Sequence, residues 1–332
     1  MSKKIRIAIN GFGRIGRAAF KVALDHPELE VVAFNDLSDV KTLAHLLKYD
    51  SVYGKFSKSV EVQDDYLVVD GKKIITLAVK EPSELPWKDL EIDAVLECTG
   101  VFRTKEKADA HLKAGAGKVI ISAPAKDETK TFVLGVNEKD YHNEDIINNA
   151  SCTTNCTSPV MAVVMANFGV KKAMMTTVHA YTADQNLIDG PHKDLRRARG
   201  AAINIVPTST GAAKATAETL PELKGKFDGL SVRVPIPVVS LSDFTILLKK
   251  LVTKEAVNEA FKKAAQSPLY KNILAVTEEP IVSSDIIGNS YSAIVDLSLT
   301  QVVDGDLLKV IAWYDNEWGY ANRLVEMIKV IV

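Results

Sequence analysis

Apolar residues crowd Ile5–Asn10, broken only by Arg6 and the closing Asn10. So uniform a run is what a parallel strand buried on both faces requires. A helical period follows to about residue 25, and a second apolar run covers Leu29–Asn35, so the first 35 or so positions predict a strand–helix–strand unit. Further apolar runs predict strands at Tyr66–Val69, 74–79, 94–98 and 118–122. Another run at 145–150 leads into an alanine- and methionine-rich helical stretch at 159–168. The second half changes character. Residues 172–179 and 230–250 read as long strands, and strict alternation is clearest from Ser240 to Ile246. Leu307–Tyr314 adds a strand, 253–266 a helix, and 316–331 is helical in period.

The turn after the first strand is Gly11-Phe12-Gly13-Arg14-Ile15-Gly16, and Asp36 stands at the end of the second strand. G-x-G-x-x-G between a strand and a helix, with an acid about 20 residues on, is a dinucleotide fingerprint. Gly11 allows the tight turn, Gly13 admits a pyrophosphate to the backbone, and Gly16 lets helix and strand pack closely. The pyrophosphate then lies on a helix N-terminus. Asp36 suits an unmodified ribose diol and repels a 2′-phosphate, favouring NAD over NADP; a helix cap or a solvated acid is the other reading of it. Ligands of open α/β sheets sit beyond the carboxyl ends of strands, which brings Thr99 and Gly100 towards the cofactor. Cys98, inside that strand, reads as a core residue. The fold class is therefore α/β: an N-terminal Rossmann dinucleotide-binding domain at 1–151, and an α+β catalytic domain at 152–315 built on a mixed, largely antiparallel sheet. The last helix, 316–332, is expected to pack back on the first domain.

Composition adds exclusions. The chain has 332 residues, 47% of them hydrophobic and 25% charged, with 41 basic and 42 acidic side chains. A net charge of −1 without a long basic run argues against a nucleic-acid surface. The cysteines, Cys98, Cys152 and Cys156, are odd in number, which points to free thiols in a reducing, cytoplasmic compartment. No apolar stretch is long enough for a membrane span, and the basic N-terminus runs into a strand and not into a signal peptide.

The segment Ser151-Cys152-Thr153-Thr154-Asn155 places a cysteine among small hydroxyl residues at a strand-to-helix junction. Orphan N–H groups and the helix dipole there favour a thiolate, and later the oxyanion of a tetrahedral intermediate. Taken alone, Cys152 also fits a buried structural cysteine. His179 closes the strand of 172–179 and is the candidate partner; a Cys–His pair shares a proton and is expected to depress the thiol pKa. Cys156 reads as core packing or a second redox thiol. His26, His45, His111, His142 and His192 read as surface residues. Anion candidates are Arg196, Arg197 and Arg199 in a polar loop, and Thr208–Gly211 ahead of the helical run Ala212–Thr219. Arg233, in an apolar strand, serves either an anion or a structural salt bridge. No cluster has metal-ligand spacing.

The segments 9–17, 151–156, 178–182, 207–214 and 314–320 together make the chain similar, over essentially its whole length, to the phosphorylating glyceraldehyde-3-phosphate dehydrogenases of glycolysis. The resemblance implies that Cys152 is the nucleophile and His179 its partner. It assigns Thr182 and Arg233 to the phosphate of glyceraldehyde 3-phosphate. Ser151, Thr153, Thr210 and Gly211 fall to inorganic phosphate, and Arg197 is a phosphate-binding arginine. Arg14, Ile15, Asp36, Lys80, Thr99, Ser122 and Asn316 become contacts of NAD, with Asn316 on the nicotinamide carboxamide. It implies a homotetramer, with the 184–199 loop reaching a neighbouring subunit. The reaction would pass through a thiohemiacetal and a thioester on Cys152 to 1,3-bisphosphoglycerate. An erythrose-4-phosphate dehydrogenase with the same machinery, and a retired paralogue acting as redox sensor or binding protein, are the alternatives.

Overall fold

The computed structural model describes residues 3–332, and the chain divides into two compact units. One takes the chain through Phe132 together with Asp140–Ala150 and Ala321–Val332; the other takes Val133–Lys139 and Ser151–Tyr320.

In the first unit, β1 (Ile5–Asn10) passes through the glycine turn into α1 (Arg14–Ala23) and returns as β2 (Leu29–Asn35), parallel to β1. Asp39 caps α2 (Val40–Lys48) by accepting from Thr42 N at 2.9 Å. A small hairpin, β3 (Tyr49–Asp50) and β4 (Gly54–Lys55), precedes the antiparallel run β5 (Val60–Gln63), β6 (Tyr66–Val69) and β7 (Lys72–Leu77). Then come β8 (Ala94–Glu97), α3 (Lys105–Lys113), β9 (Lys118–Ile121) and β10 (Ile146–Asn148). Among the described residues the sheet order is β10-β9-β8-β1-β2-β7-β6-β5, parallel from β10 to β7. The chain leaves β1 towards β2 and later returns to its other edge as β8, which makes the β1/β8 gap a topological switch point where such sheets bind ligands. β7 starts ahead of the apolar run at 74–79 because its hairpin with β6 pairs Lys72 with Val69. His111, expected on the surface, is fully buried: α3 turns it under the sheet ends, where Trp87 and Glu97 satisfy both ring nitrogens.

The second unit opens with α4 (Cys152–Phe168) and the long β11 (Val170–Ala180). Next are β12 (Val206–Ser209), α5 (Ala212–Thr219), β13 (Phe227–Val234) and β14 (Ser240–Leu248). The expected 230–250 strand region is broken between β13 and β14, where Pro235 and Pro237 lack ladder donors and Val239 takes φ +71. α6 (Lys254–Gln266) follows, capped by Thr253, and then β15 (Leu274–Thr277), β16 (Ala293–Asp296), β17 (Gln301–Val303) and β18 (Leu307–Tyr314). The order is β12-β13-β11-β14-β18-β16-β15 with β17 on β18; β11 with β13 and β15 with β16 run parallel, the other pairs antiparallel. One core joins Val160, Met161 and Val164 of α4 and Phe261 of α6 to Phe244, Ile246 and Val310 of the sheet. Each such side chain, fully buried, contributes roughly 1.5–3 kcal/mol. That packing makes α4 a rigid mount for its first residue. α7 (Trp318–Ile331) ends the chain, and from Ala321 on it belongs to the first unit.

Candidate active site

Cys152 is the first residue of α4, and Ser151 is its N-cap, the hydroxyl accepting from Thr154 N at 3.1 Å. The chain enters this cap through Ala150, whose φ of +56 is strained for a residue with a Cβ. The thiol is half-buried, and Cys152 Sγ stands 3.5 Å from His179 Nε2. His179 comes from the end of β11, and in the parallel β11–β13 ladder its register partner is Arg233.

The hydrogen bonds decide the tautomer. His179 Nδ1 lies 2.7 Å from the Ala180 carbonyl, which only accepts, so Nδ1 carries the proton. Nε2 is left with a lone pair towards the thiol. Arg233 Nη1 approaches Nδ1 at 3.0 Å and donates to the same carbonyl at 3.0 Å, with Thr182 Oγ1 at 3.5 Å. Burial, and then this guanidinium, push His179 down to about 3, so the imidazole is neutral at rest. Burial also raises the Cys152 thiol, against the opposing pull of Arg233. The depressed thiol expected from the sequence is therefore corrected: without an imidazolium beside it, and with desolvation dominant, the resting pair is a thiol and a neutral imidazole. Cys98 is pushed up to about 12 and Cys156 higher still, both by burial, so neither rivals Cys152 as a nucleophile.

A hydroxyl relay holds this geometry. Thr177 Oγ1 donates to the Leu241 carbonyl at 3.2 Å, so it accepts from Tyr314 Oη at 2.9 Å, and Tyr314 in turn accepts from Thr153 Oγ1 at 2.9 Å. The Tyr314 ring meets the His179 ring edge-on, centroids 6.1 Å apart. Thr153 thus spends its hydroxyl proton inward, and its backbone N–H, in the first turn of α4, is what it can offer an anion. Tyr314 lay within a motif noted in the sequence, but nothing local disclosed that β14 and β18 carry it under the nucleophile.

Arg233 is the strongest anion site. Its Nε is buried without a partner, and no carboxylate lies within ion-pair distance among the described residues, so the salt-bridge reading falls away. Thr182 shares its Nη1. Arg197 is differently occupied: it pairs with Asp184, and donates to Thr208 Oγ1 at 2.9 Å and the Ser209 carbonyl at 3.1 Å. Its charge still reaches both Arg233 and His179. Thr210 Oγ1 accepts from Ala212 N at 3.2 Å, and Gly211 is the N-cap of α5. Asn316, buried, accepts at Oδ1 from Ser240 Oγ at 3.2 Å, and the same hydroxyl accepts from Ala180 N at 3.1 Å. Asn316 keeps its amide donors, and Ser240, which the sequence did not single out, ties it to the residue after His179.

The dinucleotide residues other than Asn316 lie in the first unit. Gly11 has φ +91, and a Cβ there would come 2.7 Å from Thr99 N. A Cβ on Gly16 would come 2.0 Å from the Gly11 carbonyl oxygen, whereas one on Gly13 would point into open space. The turn thus leaves room for something other than this chain over the N-terminus of α1, whose first turn carries no acid. Asp36 accepts from Phe12 N at 2.8 Å and Ser38 N at 2.9 Å, one bond per oxygen, leaving lone pairs for a ribose diol. Arg14, half-buried, pairs with Asp50 at 2.8 Å. Ser122 directly follows the end of β9, Thr99 stands two residues beyond the end of β8, Ile15 is the second residue of α1, and Lys80 is exposed beyond β7. These residues fit NAD.

Comparison with known proteins agrees with both halves. Residues 5–105 match the family described as glyceraldehyde 3-phosphate dehydrogenase, NAD binding domain, and residues 151–316 its C-terminal domain. The chain is similar to glyceraldehyde-3-phosphate dehydrogenases of Streptomyces coelicolor (54% identity, covering 97% of each chain) and Geobacillus stearothermophilus (54%, 98% of each). It is also similar to that of Borreliella burgdorferi (53%, covering 99% of this chain and all of the other).

Proposed function

The chain belongs to the glyceraldehyde-3-phosphate dehydrogenase family, and we infer from its site how it performs that family's reaction. It is an NAD-dependent dehydrogenase that converts D-glyceraldehyde 3-phosphate and inorganic phosphate to 1,3-bisphosphoglycerate. The observation that carries the reading is the 3.5 Å approach of Cys152 Sγ to the lone pair of His179 Nε2, with the half-buried Arg233, its Nε buried without a partner, alongside.

Arg233 and Thr182 receive the substrate phosphate. That dianion offsets the guanidinium charge, the second cause holding His179 down, and so makes the imidazole a better base once substrate is bound. Sγ attacks the aldehyde carbon while its proton passes through Nε2 to the new oxyanion, giving a thiohemiacetal. Bound NAD supplies the hydride acceptor. As the hydride leaves carbon, His179 Nε2 takes the hydroxyl proton, and a thioester on Cys152 remains. The first-turn N–H groups of α4 stabilise oxyanions at both tetrahedral stages. Inorganic phosphate, held by Ser151, Thr153, Thr210 and Gly211 with Arg197 nearby, attacks the thioester carbonyl. The sulfur leaves and recovers its proton from His179. The fingerprint residues Gly11, Gly13 and Gly16 hold the cofactor with Arg14, Ile15, Asp36, Lys80, Thr99 and Ser122, and Asn316 orients its carboxamide through its free amide donors.

The assembly is a homotetramer in this reading. The 184–199 loop, expected to be polar, exposes Leu187, Ile188 and Leu195, and Ile203 and Ile205 lie just beyond, an apolar surface that suits a subunit contact. Among the described residues no helix is long and apolar enough to cross a membrane. The compartment is cytoplasmic, in keeping with three unpaired cysteines. The test is NADH production with phosphate omitted: one burst of about one equivalent per site and then slow turnover is expected. Sustained full-rate turnover without phosphate or arsenate would mark a hydrolytic enzyme instead.

A further inference from the structure

The carboxylate of Glu97 is buried at the end of β8, with Asn10, Asn35, His111 and Trp87 buried around it. A lone buried carboxylate is costly unless its oxygens are filled by donors. Here they are. Trp87 Nε1, a donor only, lies 3.0 Å from His111 Nδ1, so that nitrogen accepts and the ring proton sits on Nε2. Nε2 then donates to Glu97 Oε2 at 3.0 Å. The ring is satisfied in its neutral form, so Glu97 is solvated by donors and not neutralised by a cation. Asn10 Nδ2 donates to the same oxygen at 2.6 Å. Glu97 Oε1 accepts from Thr99 N at 2.8 Å and from the Thr99 hydroxyl.

The chain of bonds continues across the sheet. Asn10 Oδ1 accepts from Asn35 Nδ2 at 2.7 Å, and the Asn35 side chain is closed by Val79, accepting from its N–H at 2.8 Å and donating to its carbonyl at 2.9 Å. On the main chain, Gly11 N donates to the Asn35 carbonyl at 2.8 Å and Cys98 N to the Asn10 carbonyl at 2.7 Å. One carboxylate therefore ties together the ends of β8, β1 and β2, the strand ends from which Thr99, Gly11 and Asp36 project.

We propose that Glu97 is a positioning residue for the cofactor: it sets the spacing of the Gly11 and Thr99 turns on which the dinucleotide rests. The proposal rests on the dinucleotide reading of the glycine turn. The two turns already touch at the limit a Cβ would violate, so a displaced Thr99 turn displaces Gly11. A carboxylate is required and an amide will not serve, because donors converge on both oxygens. An amide at position 97 would set its own N–H groups against Asn10 and His111, or against Thr99.

The test is direct titration of the full-length protein with NAD, followed by calorimetry, with the alkylation rate of Cys152 in cofactor-free protein as the control. Glu97→Gln is expected to weaken NAD binding about tenfold or more, as losing hydrogen bonds to a buried charge does, with Cys152 alkylation unchanged. Asn10→Asp combined with Glu97→Gln restores an acceptor opposite a donor, and is expected to recover at least about threefold of the loss. If Glu97→Gln does not fold, His111→Phe, which removes one donor and leaves the charge, should weaken NAD by about threefold. NAD affinity equal to wild type in a folded Glu97→Gln or His111→Phe protein, or no recovery in the double variant, would overturn the proposal. Wild-type protein that bound no NAD would remove the underlying dinucleotide reading instead.

Discussion

Arg233 acts on both members of the catalytic pair. It pulls the Cys152 thiol down and, after burial, helps hold His179 neutral, so its removal should raise the pKa of both. Arg233→Leu is expected to shift the pH profile of iodoacetamide labelling at Cys152 upwards. In the unaltered protein Cys152 should label ahead of Cys98 and Cys156, and equal labelling of all three near neutrality would contradict the assignment. His179→Asn should slow NADH formation by roughly 10²–10⁴-fold, the usual loss of a general acid/base. The same histidine makes a pH signature in stability. Its folded pKa, about 3, lies below the unfolded value near 6.5, so stability is fully present above pH 6.5 and declines as pH falls towards 3. Between about pH 6.5 and 4.5 the slope should approach 1.4 kcal/mol per unit from this group. Glu28 and Glu144, both held at about 2, weaken the fold only below their unfolded value of 4.5. Denaturant titrations of wild type and His179→Asn across that window check it: the variant should be flatter.

Two elements carry the binding surfaces, and both begin at a helix N-terminus. In the β1–α1–β2 unit the glycines differ in what they allow. Gly13 has φ −72 and open space where a Cβ would go, so Gly13→Ala should fold with an unchanged melting temperature yet weaken NAD binding. Gly16→Ala must push against the Gly11 carbonyl at 2.0 Å, so it should lower both. Calorimetric melting alongside NAD titration separates the two outcomes. At α4, Ser151→Ala removes the cap of the nucleophile's helix and should cost about 1 kcal/mol. Both elements were legible in sequence because their signals are local. A glycine turn, an acid at a strand end and a capped apolar helix are each written within a few dozen residues. The break between β13 and β14 was not read from sequence, because apolar periodicity ran across Pro235 and Pro237.

For the molecule as a whole, the near-zero formal charge offers little long-range repulsion between copies, and the exposed Leu187, Ile188, Leu195, Ile203 and Ile205 offer an apolar surface. Light scattering at micromolar concentration should give about four times the 36.2 kDa chain mass. Leu195→Glu should lower that mass, and a wild-type reading at the single-chain mass would contradict the tetramer.

The sequence alone determined the dinucleotide unit and the family and marked Cys152 as the candidate nucleophile, since these rest on short segments whose chemistry is complete in themselves. It marked His179 and Arg233 as candidates without showing that they meet. Only the fold decided that: the β11–β13 register sets the two side by side, and Arg233 Nη1 comes within 3.0 Å of His179 Nδ1 across 54 positions of chain. Folding likewise turned His111 inward to Glu97, carried Tyr314 beneath Thr153, and left the Nε of the half-buried Arg233 without a partner. Burial and strand register are properties of contacts between distant segments, so they set the protonation of the catalytic pair against the expectation that helix dipole and residue type had raised.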